Sequence, residues 1–397
     1  MDRDPPNFWS PRSSRKVPRI SPPNTLQDSE RYLRLENLLP GIPNELTLKE
    51  ISTKLSWKDF HVLSSVSRGW RHAIRSREVY NARVRSQTRE TLALIVYGSL
   101  PSQLALYSMR DGSSYLLPPI PGFEGGIPSY SRCVSLDGNI YILGGLRDLR
   151  NEYERDSSNI HDREVHVLDL AGQIGWKLCA SMRESQSELI GGVHDGKIYG
   201  FWRNGVNDHA CGEVYDPKTN SWSLIRTAVW DHSDHEVESL GEEIFVFNDH
   251  VNYRSTRNHF AYHPVKDEWR EVNVSEFSES ELPFVSQGKW HLLSQAGIYV
   301  HDADQNSWIE LHTCSFAENV NPRTLFPFGP TTIFPLAVQA VDKELLVLWY
   351  CSRSDSRLFQ SKGFCGDTKE ILWEKVPLDF AADCIKSNPC SMSRVQL

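Results

Sequence analysis

Residues 214–222 read VYDPKTNSW, which is a short strand, a tight turn and a tryptophan, and this order of elements recurs along the chain. Tyr215 stands seven residues before Trp222. Asp216 and Pro217 suit the first two positions of a type I turn, because proline presets the backbone angle that the second position needs. The segment therefore predicts a β-hairpin with an aromatic side chain just after its turn.

Similar hairpins follow one another at regular intervals. They are LYSMRDGSSY (106–115), LDLAGQIGW (168–176), AYHPVKDEW (261–269) and VHDADQNSW (300–308), and a looser copy ends at Trp373. The core of the repeat spans about 40 to 47 residues, with variable insertions, which is typical of β-propeller blades. Aromatic side chains at these positions are expected to pack against the neighbouring blade.

Another strand pair precedes most of these hairpins. SRCVSLDGNIYILGG (131–145) shows it best, with Asp137-Gly138 as its turn, and LIGGVHDGKIYGF (189–201) and VESLGEEIFVF (237–247) have the same form. Each unit is thus predicted to contain four antiparallel strands. The six predicted units span about 92–118, 131–180, 188–226, 236–273, 284–312 and 334–377. The first unit lacks an innermost strand, and we expect the tail after Pro377 to supply it and close the ring.

The stretch before the repeats is helical in pattern. Apolar side chains recur at helical spacing at Leu46, Leu48, Ile51 and Leu55. Ser56 and Asp59 form a capping-box pattern for a second helix, whose predicted apolar face contains Phe60, Leu63 and Val66. Gly69 is expected to interrupt this helix, and Trp70 to begin a third amphipathic stretch.

Residues 39–71, LPGIPNELTLKEISTKLSWKDFHVLSSVSRGWR, resemble the F-box, with its Leu-Pro, an acidic residue before Leu, spaced aliphatics and Val-Ser-Arg-x-Trp-Arg. Ser56-Trp57 stands where many members of the family have proline. The β-part resembles kelch repeats, although Gly144-Gly145 is the only glycine pair at the position that the family uses. The whole chain is similar to plant F-box/kelch-repeat proteins. The resemblance implies an α+β multidomain fold: a three-helix F-box followed by an all-β kelch-type propeller, for which we expect six blades.

The resemblance also implies a function. An F-box binds the Skp adaptor of a cullin-based (SCF) ubiquitin ligase, and the propeller would bind a protein substrate for ubiquitination and proteasomal degradation. The chain would then be a non-catalytic substrate receptor without a cofactor or metal. The residues expected to bind the adaptor are Leu39, Pro40, Ile42, Pro43, Leu46, Ile51, Leu63, Val66, Trp70 and Arg71.

Strand direction predicts which rim of the propeller binds substrate. The connections between second and third strands, and between fourth and next first strands, leave on one side and include the long segments 147–164, 202–211, 226–236, 248–257, 273–283 and 313–332. Long loops on a rigid scaffold commonly carry recognition. The candidate contacts there are Arg147, Arg150, Arg155, Arg163, Trp202, Arg203, Trp230, His232, His235, Tyr253, Arg254 and Arg257.

The predicted organisation has four parts: a Pro/Ser/Arg-rich tail expected to be disordered (1–36), the F-box and a linker helix (38–86), the propeller (91–380) and a C-terminal tail (381–397). The first residues lack a secretory signal, and no apolar run is long enough for a membrane span. We therefore expect a protein of the cytoplasm and/or nucleus. The net charge of −8 disfavours general nucleic-acid binding, and the arginines of 68–89 are interpreted as a solvated linker helix.

Other interpretations of the repeat region and of its function fit the sequence less well. WD repeats would need Trp230-Asp231 to recur with the period, and it does not. An F-box-associated β-domain could also follow an F-box. A propeller enzyme could use His232, Asp234, His235 and Glu236 as a metal site, although adjacent ligands diverge. The chain could also act as an F-box/kelch scaffold outside ubiquitination.

Overall fold

The computed structural model describes two kinds of structure, a small set of helices and a much larger set of β-strands. The described residues are 38–74, 76–97, 103–123, 126–128, 131–145, 163–170, 175–184, 189–204, 209–226, 228–229, 235–248, 259–272, 282–294, 297–302, 305, 307–316, 334–341, 344–352, 355–362, 370–376 and 389–396. The predicted tail 1–36 lies outside them. No helix in the described part of the chain is long and apolar enough to cross a membrane.

The helices occupy residues 44–86, and we call residues 38–86 the helical module. They are α1 (Asn44–Leu46), a π-helical turn (Thr47–Ile51), a 3₁₀ turn (Ser52–Lys54), α2 (Trp57–Val66), α3 (Arg68–Ile74) and α4 (Arg77–Ser86). The break before α3 falls at Ser67, and Gly69 lies inside α3, which corrects the expected break at Gly69. The reason is local, because the hydroxyl of Ser67 accepts a hydrogen bond from the N–H of Trp70 and so starts a new helix.

Four of the five sheets contain four antiparallel strands, one with a short additional strand. The first is formed by β1 (Thr91–Tyr97), β2 (Gln103–Tyr107), β3 (Ser114–Leu116) and the last strand, β25 (Pro389–Gln396). The second contains β4 (Arg132–Leu136), β5 (Asn139–Leu143), β6 (Val165–Asp169) and β7 (Trp176–Leu178).

The third sheet contains β8 (Ile190–His194), β9 (Lys197–Asn204), β10 (His209–Asp216) and β11 (Ser221–Leu224), and the short β12 (Ala228–Val229) pairs with β10. The fourth contains β13 (His235–Leu240), β14 (Glu243–Asn248), β15 (His259–His263) and β16 (Glu268–Val272). In the second, third and fourth sheets the four main strands thus pair in consecutive order, as the hairpin repeat predicted.

The fifth sheet has eight strands and replaces two of the predicted units. Its strands are β17 (Leu282–Ser286), β18 (Lys289–Leu293), β19 (Gly297–Asp302), β20 (Ser307–Phe316), β21 (Phe334–Val341), β22 (Glu344–Ser352), β23 (Asp355–Lys362) and β24 (Glu370–Lys375). β20 continues beyond the length of the other fourth strands and pairs in parallel with β24 at residues 313–316 and 370–373. The structure is therefore a propeller arrangement of five sheets, not six separate ones.

The two ends of the repeat region meet in the first sheet. β25 pairs antiparallel with β1, from Thr91 opposite Gln396 to Tyr97 opposite Pro389. Consecutive first strands also lie beside one another in a closed cycle: β25, β4, β8, β13, β17, β21 and β25 again. A side-chain contact also joins the first sheet to the fifth, because the hydroxyl of Tyr107 in β2 donates to Oε1 of Gln360 in β23 at 3.0 Å. The ring is closed by strand pairing and by side chains together.

The turns between first and second strands have the backbone that their sequences require. Asp137 and Gly138 have φ angles of 51° and 72°, and Asp195 and Gly196 have 44° and 68°. Positive φ at both central residues matches the twist of a two-residue hairpin. The Asp-Gly turn predicted at 137–138 is confirmed.

Candidate protein-binding surfaces

The second helix of the module begins as its sequence predicts. The hydroxyl of Ser56 accepts the backbone N–H of Asp59 at 3.2 Å, and the carboxylate of Asp59 accepts the N–H of Ser56 at 2.8 Å. Hydrogen bonds from Ser56 also hold the pKa of Asp59 below its usual value. This reciprocal cap fixes Trp57 as the first residue of α2 and confirms the capping-box prediction.

The first helical segment is less regular than its apolar spacing suggested. The hydroxyls of Ser52 and Thr53 are buried and donate to the carbonyl oxygens of Leu48 and Lys49. Side-chain bonds of this kind compete with the backbone ladder and bend helices. The change from α to π to 3₁₀ over residues 44–54 is consistent with that competition.

The side chains of α2 divide between two faces. Trp57 and Phe60 are buried, and Leu63 is partly buried against the same core. Val62 and Val66 are 61% and 64% exposed and lie four residues apart, so they share the opposite face. The sequence assigned Val66 to the face of Phe60, whereas the structure turns it outward together with Val62.

The predicted adaptor-binding residues fall into three classes of burial. Five lie on the surface: Leu46, which is 51% exposed, and Pro40, Pro43, Val66 and Arg71. Four are half-buried: Leu39, Ile42, Ile51 and Leu63. Trp70 is buried, with 4% of its surface exposed. Sequence reasoning missed Val62, whose signal was its spacing of four from Val66. Exposed apolar side chains on one module are a common mark of a protein-binding surface.

Trp70 lies in a core that the helical module shares with the first two sheets. The same cluster contains Phe60 and Ala73 of the module, Leu92 and Leu106 of the first sheet, and Ile140 of the second. The module is too small to bury a full core alone. The tryptophan therefore contributes to packing between the module and the propeller.

Arg77 shows which rim of the propeller carries the module. Its guanidinium donates to the carbonyl oxygen of Asp137 at 2.7 Å and lies 3.8 Å from the carboxylate of Asp169. Asp137 is in the turn between β4 and β5, and Asp169 ends β6 before the turn to β7. The module therefore sits on the rim formed by the tight turns.

The opposite rim carries the long connections, and most of its predicted contacts lie outside the described residues. These are Arg147, Arg150, Arg155, Trp230, His232, Tyr253, Arg254 and Arg257. The backbones of Arg203 and His235 are described, and they pair with Ala210 and Asn248. Arg163 is exposed just before β6.

A buried carboxylate anchors part of this rim. Glu213 has no exposed surface, and its oxygens accept the backbone N–H groups of Arg183 at 3.0 Å and Glu184 at 3.2 Å. Burial raises the pKa of Glu213. Arg163 donates to the carbonyl oxygen of Arg183 at 3.0 Å, so the two exposed arginines are held side by side.

Trp202 lies inside the protein at this end of β9. It is 2% exposed and packs in a cluster with Leu143, Val165 and Met182, from the second sheet and its connection to the third. Its indole N–H has no hydrogen-bond partner among the residues that the structure describes. The side chain thus joins two sheets rather than presenting a face on the surface.

The Cys133 thiol is buried, and the described His, Cys, Asp and Glu side chains are scattered. Burial raises the pKa of the Cys133 thiol to about 12, which keeps it protonated at neutral pH. In the described ranges, no three His, Cys, Asp or Glu side chains are grouped as metal ligands would be. Asp234 and His232 of the weighed metal site lie outside those ranges.

Comparison with known proteins agrees with the features above. No family model matches the chain. The F-box/kelch-repeat protein At1g16250 of Arabidopsis thaliana is 23% identical over 312 residues, which cover 74% of this chain and 79% of that protein. The F-box/kelch-repeat protein At4g39590 of the same plant is 26% identical over 251 residues, covering 59% and 60%. A third, At5g03020, is 30% identical over 193 residues, covering 47% and 52%. The chain is therefore a homologue of plant F-box/kelch-repeat proteins, as its sequence resemblance indicated.

Proposed function

We propose that this chain is the substrate-recognition subunit of an SCF ubiquitin ligase. In this proposal the helical module binds a Skp-type adaptor, and through it a cullin, and the propeller binds a protein substrate. The observation that carries the proposal is the set of exposed apolar side chains on the module, Leu46, Val62 and Val66, which face solvent while Trp57 and Phe60 fill the core. A partner that covers these side chains would bury apolar surface that the chain itself leaves open.

Residues 44–54, 57–66 and 68–74 would serve as the three F-box helices. We further propose six functional blades, in which β17–β20 and β21–β24 are two units joined at their outer strands. The closed cycle of six first strands supports that count.

The position of the module supports a substrate-binding role for the long-loop rim. Arg77 fixes the module on the rim of tight turns, through Asp137 and Asp169. The described residues of the opposite rim include Arg163 and Arg183, on a backbone anchored by Glu213, and these would be available to a second protein. Adaptor and substrate would then bind at opposite ends of one rigid body.

We expect the chain to act in the cytoplasm and/or nucleus and to have no catalytic group of its own. An F-box/kelch scaffold that acts outside ubiquitination is the second candidate. Both candidates bind the adaptor, so cullin capture and ubiquitin transfer distinguish them. A propeller enzyme would show neither.

The test uses the whole chain and a double variant, V62D/V66D, instead of a deletion of the module, because the module shares its core with the propeller. Both proteins are captured from plant cells treated with a proteasome inhibitor. The wild type is expected to bring down adaptor and cullin, and the variant to lose both while retaining the same propeller-bound proteins. Capture of adaptor without cullin would favour the scaffold function, and equal capture by both proteins would contradict the proposal.

A further inference from the structure

Glu90 lies where the helical module ends and the propeller begins. It stands between α4, which ends at Ser86, and β1, which begins at Thr91. Its side chain is only 8% exposed. A carboxylate buried to this extent is costly unless charged or hydrogen-bonding groups surround it.

Three separate elements supply the partners of Glu90. Its Oε2 accepts the backbone N–H of Trp57, the first residue of α2, at 2.6 Å. The same oxygen is 4.0 Å from the guanidinium of Arg83 in α4. Its Oε1 accepts the hydroxyl of Ser108, which follows β2, at 3.3 Å. One side chain therefore joins two helices of the module to the first sheet.

Arg83, the cationic neighbour of Glu90, is itself buried and held in place by other contacts. Arg83 is 3% exposed, its Nε donates to the carbonyl oxygen of Thr88 at 3.2 Å, and its guanidinium lies 5.2 Å from the centre of the Phe60 ring. The N-terminus of α2 is also a favourable place for a negative charge, because the helix dipole is positive there. Removing the carboxylate would take away the counter-charge of a buried cation and the acceptor that Glu90 supplies to the first N–H of α2.

We propose that Glu90 is a positioning residue that fixes the orientation of the helical module on the propeller. It acts at the N-terminus of α2, whereas Val62 and Val66, further along the helix, are exposed and remain available to a partner. The effect of Glu90 on ubiquitin transfer rests on the proposed function, because a fixed orientation limits which lysines reach the ubiquitin-charged enzyme. The effect of Glu90 on the orientation of the module is independent of that function.

The first experiment measures hydrogen exchange in the full-length chain, for the wild type, E90Q, E90A and the control E78Q, which changes an exposed glutamate at the start of α4. Loss of the charged acceptor is expected to speed exchange of the amides in residues 57–66 by about tenfold or more. Exchange in β9, far along the chain, should not change, and E78Q should behave as wild type. If E90A does not fold, E90Q decides the question. Unchanged exchange in α2 of E90Q would overturn the proposal.

The second experiment reconstitutes the ligase with a plant Skp adaptor and cullin and maps, by mass spectrometry, which lysines of this chain become ubiquitinated. E90Q is expected to keep adaptor affinity within about threefold, since the exposed face is intact. Its ubiquitin should spread over more lysines than in the wild type, at a temperature where circular dichroism shows both proteins to be fully folded. An unchanged lysine pattern would contradict the positioning role. If the wild type does not bind the adaptor, the proposed function fails while the exchange result still decides the role of Glu90.

Discussion

The indole Nε1 of Trp222 donates a 2.8 Å hydrogen bond to the carbonyl oxygen of Ala180, which follows the last strand of the preceding sheet. The N–H of Ala180 in turn donates to Asn220 Oδ1 at 2.9 Å. One residue of the preceding sheet is thus held at both its N–H and its carbonyl by the hairpin of the next. This double hydrogen bond gives the repeated aromatic a polar role as well as a packing role.

The next pair of sheets repeats the arrangement. Trp269 donates to the carbonyl oxygen of Arg226 at 2.8 Å, and the N–H of Arg226 donates to Asp267 Oδ1 at 2.9 Å. Between the first and second sheets only one of the two hydrogen bonds is present. The indole N–H of Trp176 donates to the carbonyl oxygen of Pro118 at 2.8 Å, but proline has no N–H to donate in the other direction.

Asn220 is the residue at which this connection can be tested. It has a φ angle of 50°, and its Oδ1 accepts both Ala180 N–H and the hydroxyl of Tyr215. N220A is expected to lower the free energy of unfolding by about 1–3 kcal/mol, through the lost acceptor and a backbone that alanine tolerates poorly. Chemical denaturation of the full-length chain measures this.

The matched control is N220D, because aspartate already occupies the equivalent position, Asp267, in the next sheet. N220D should unfold within about 1 kcal/mol of the wild type. If N220A were as stable as N220D, the hydrogen bonds between sheets would not contribute measurably.

The exposed valines of α2 give the second prediction. V62D/V66D is expected to abolish binding of purified Skp adaptor, since it places charge on the apolar face, and to leave the melting temperature nearly unchanged. V84D is the control, because Val84 is 40% exposed on α4. Adaptor binding that survives in V62D/V66D, measured by calorimetry, would exclude this face.

Trp70 makes a poor test of the same interface. Because its side chain is 4% exposed within the shared core, W70A is expected to lower the free energy of unfolding by about 3–5 kcal/mol. A loss of adaptor binding in W70A would then report unfolding of the module. Circular dichroism of W70A beside V62D/V66D would separate the two effects.

His291 predicts a dependence of stability on pH. The ring is 6% exposed, stacks on Phe284 with centroids 5.2 Å apart, and its Nδ1 donates to the carbonyl oxygen of Lys289 at 3.1 Å. Burial lowers the pKa of His291 below 6.5. The folded state therefore prefers the neutral ring. The contribution of this buried ring to the free energy of unfolding is complete above pH 6.5 and is lost as the pH falls through the lowered pKa.

H291Q should remove this part of the pH dependence. The wild type is expected to lose more stability than H291Q when the pH is lowered from about 7.5 to about 5.5. Thermal unfolding of both proteins at the two pH values gives the comparison. Equal losses would mean that other groups carry the acid sensitivity.

A close approach of two first strands gives a further prediction. A Cβ added at Gly192 in β8 would lie 2.5 Å from Cγ1 and 3.2 Å from Cβ of Val237 in β13. G192A is expected to lower the free energy of unfolding by about 1–3 kcal/mol, because both backbones are fixed by their sheets. Denaturant unfolding measures the change.

Gly175 supplies the matched control, since a Cβ there meets nothing within 4 Å. G175A should be neutral or slightly stabilising. The double variant G192A/V237A should recover part of the loss. A stable G192A would show that the sheets can move apart without cost.

Local chemistry made much of the architecture predictable. The hairpins with Tyr215 and Trp222, the Asp137-Gly138 turn and the cap formed by Ser56 and Asp59 all depend on residues a few positions apart. Their geometry follows from side chains and backbone angles that the sequence specifies directly. The expected closing strand and the four-strand order followed from repetition of these short units.

Contacts between residues far apart in sequence decided the rest. Only the folded chain determines that Trp70 is buried while Val62 faces solvent, because the strands that cover α2 come from residues beyond 90. The pairing of β20 with β24 and the partners of Glu90 likewise join distant segments. The sequence by itself thus determined the repeated strands and the helical module. The tertiary structure decided which face of the module is open, on which rim it sits and how its orientation is held, because those depend on which surfaces meet.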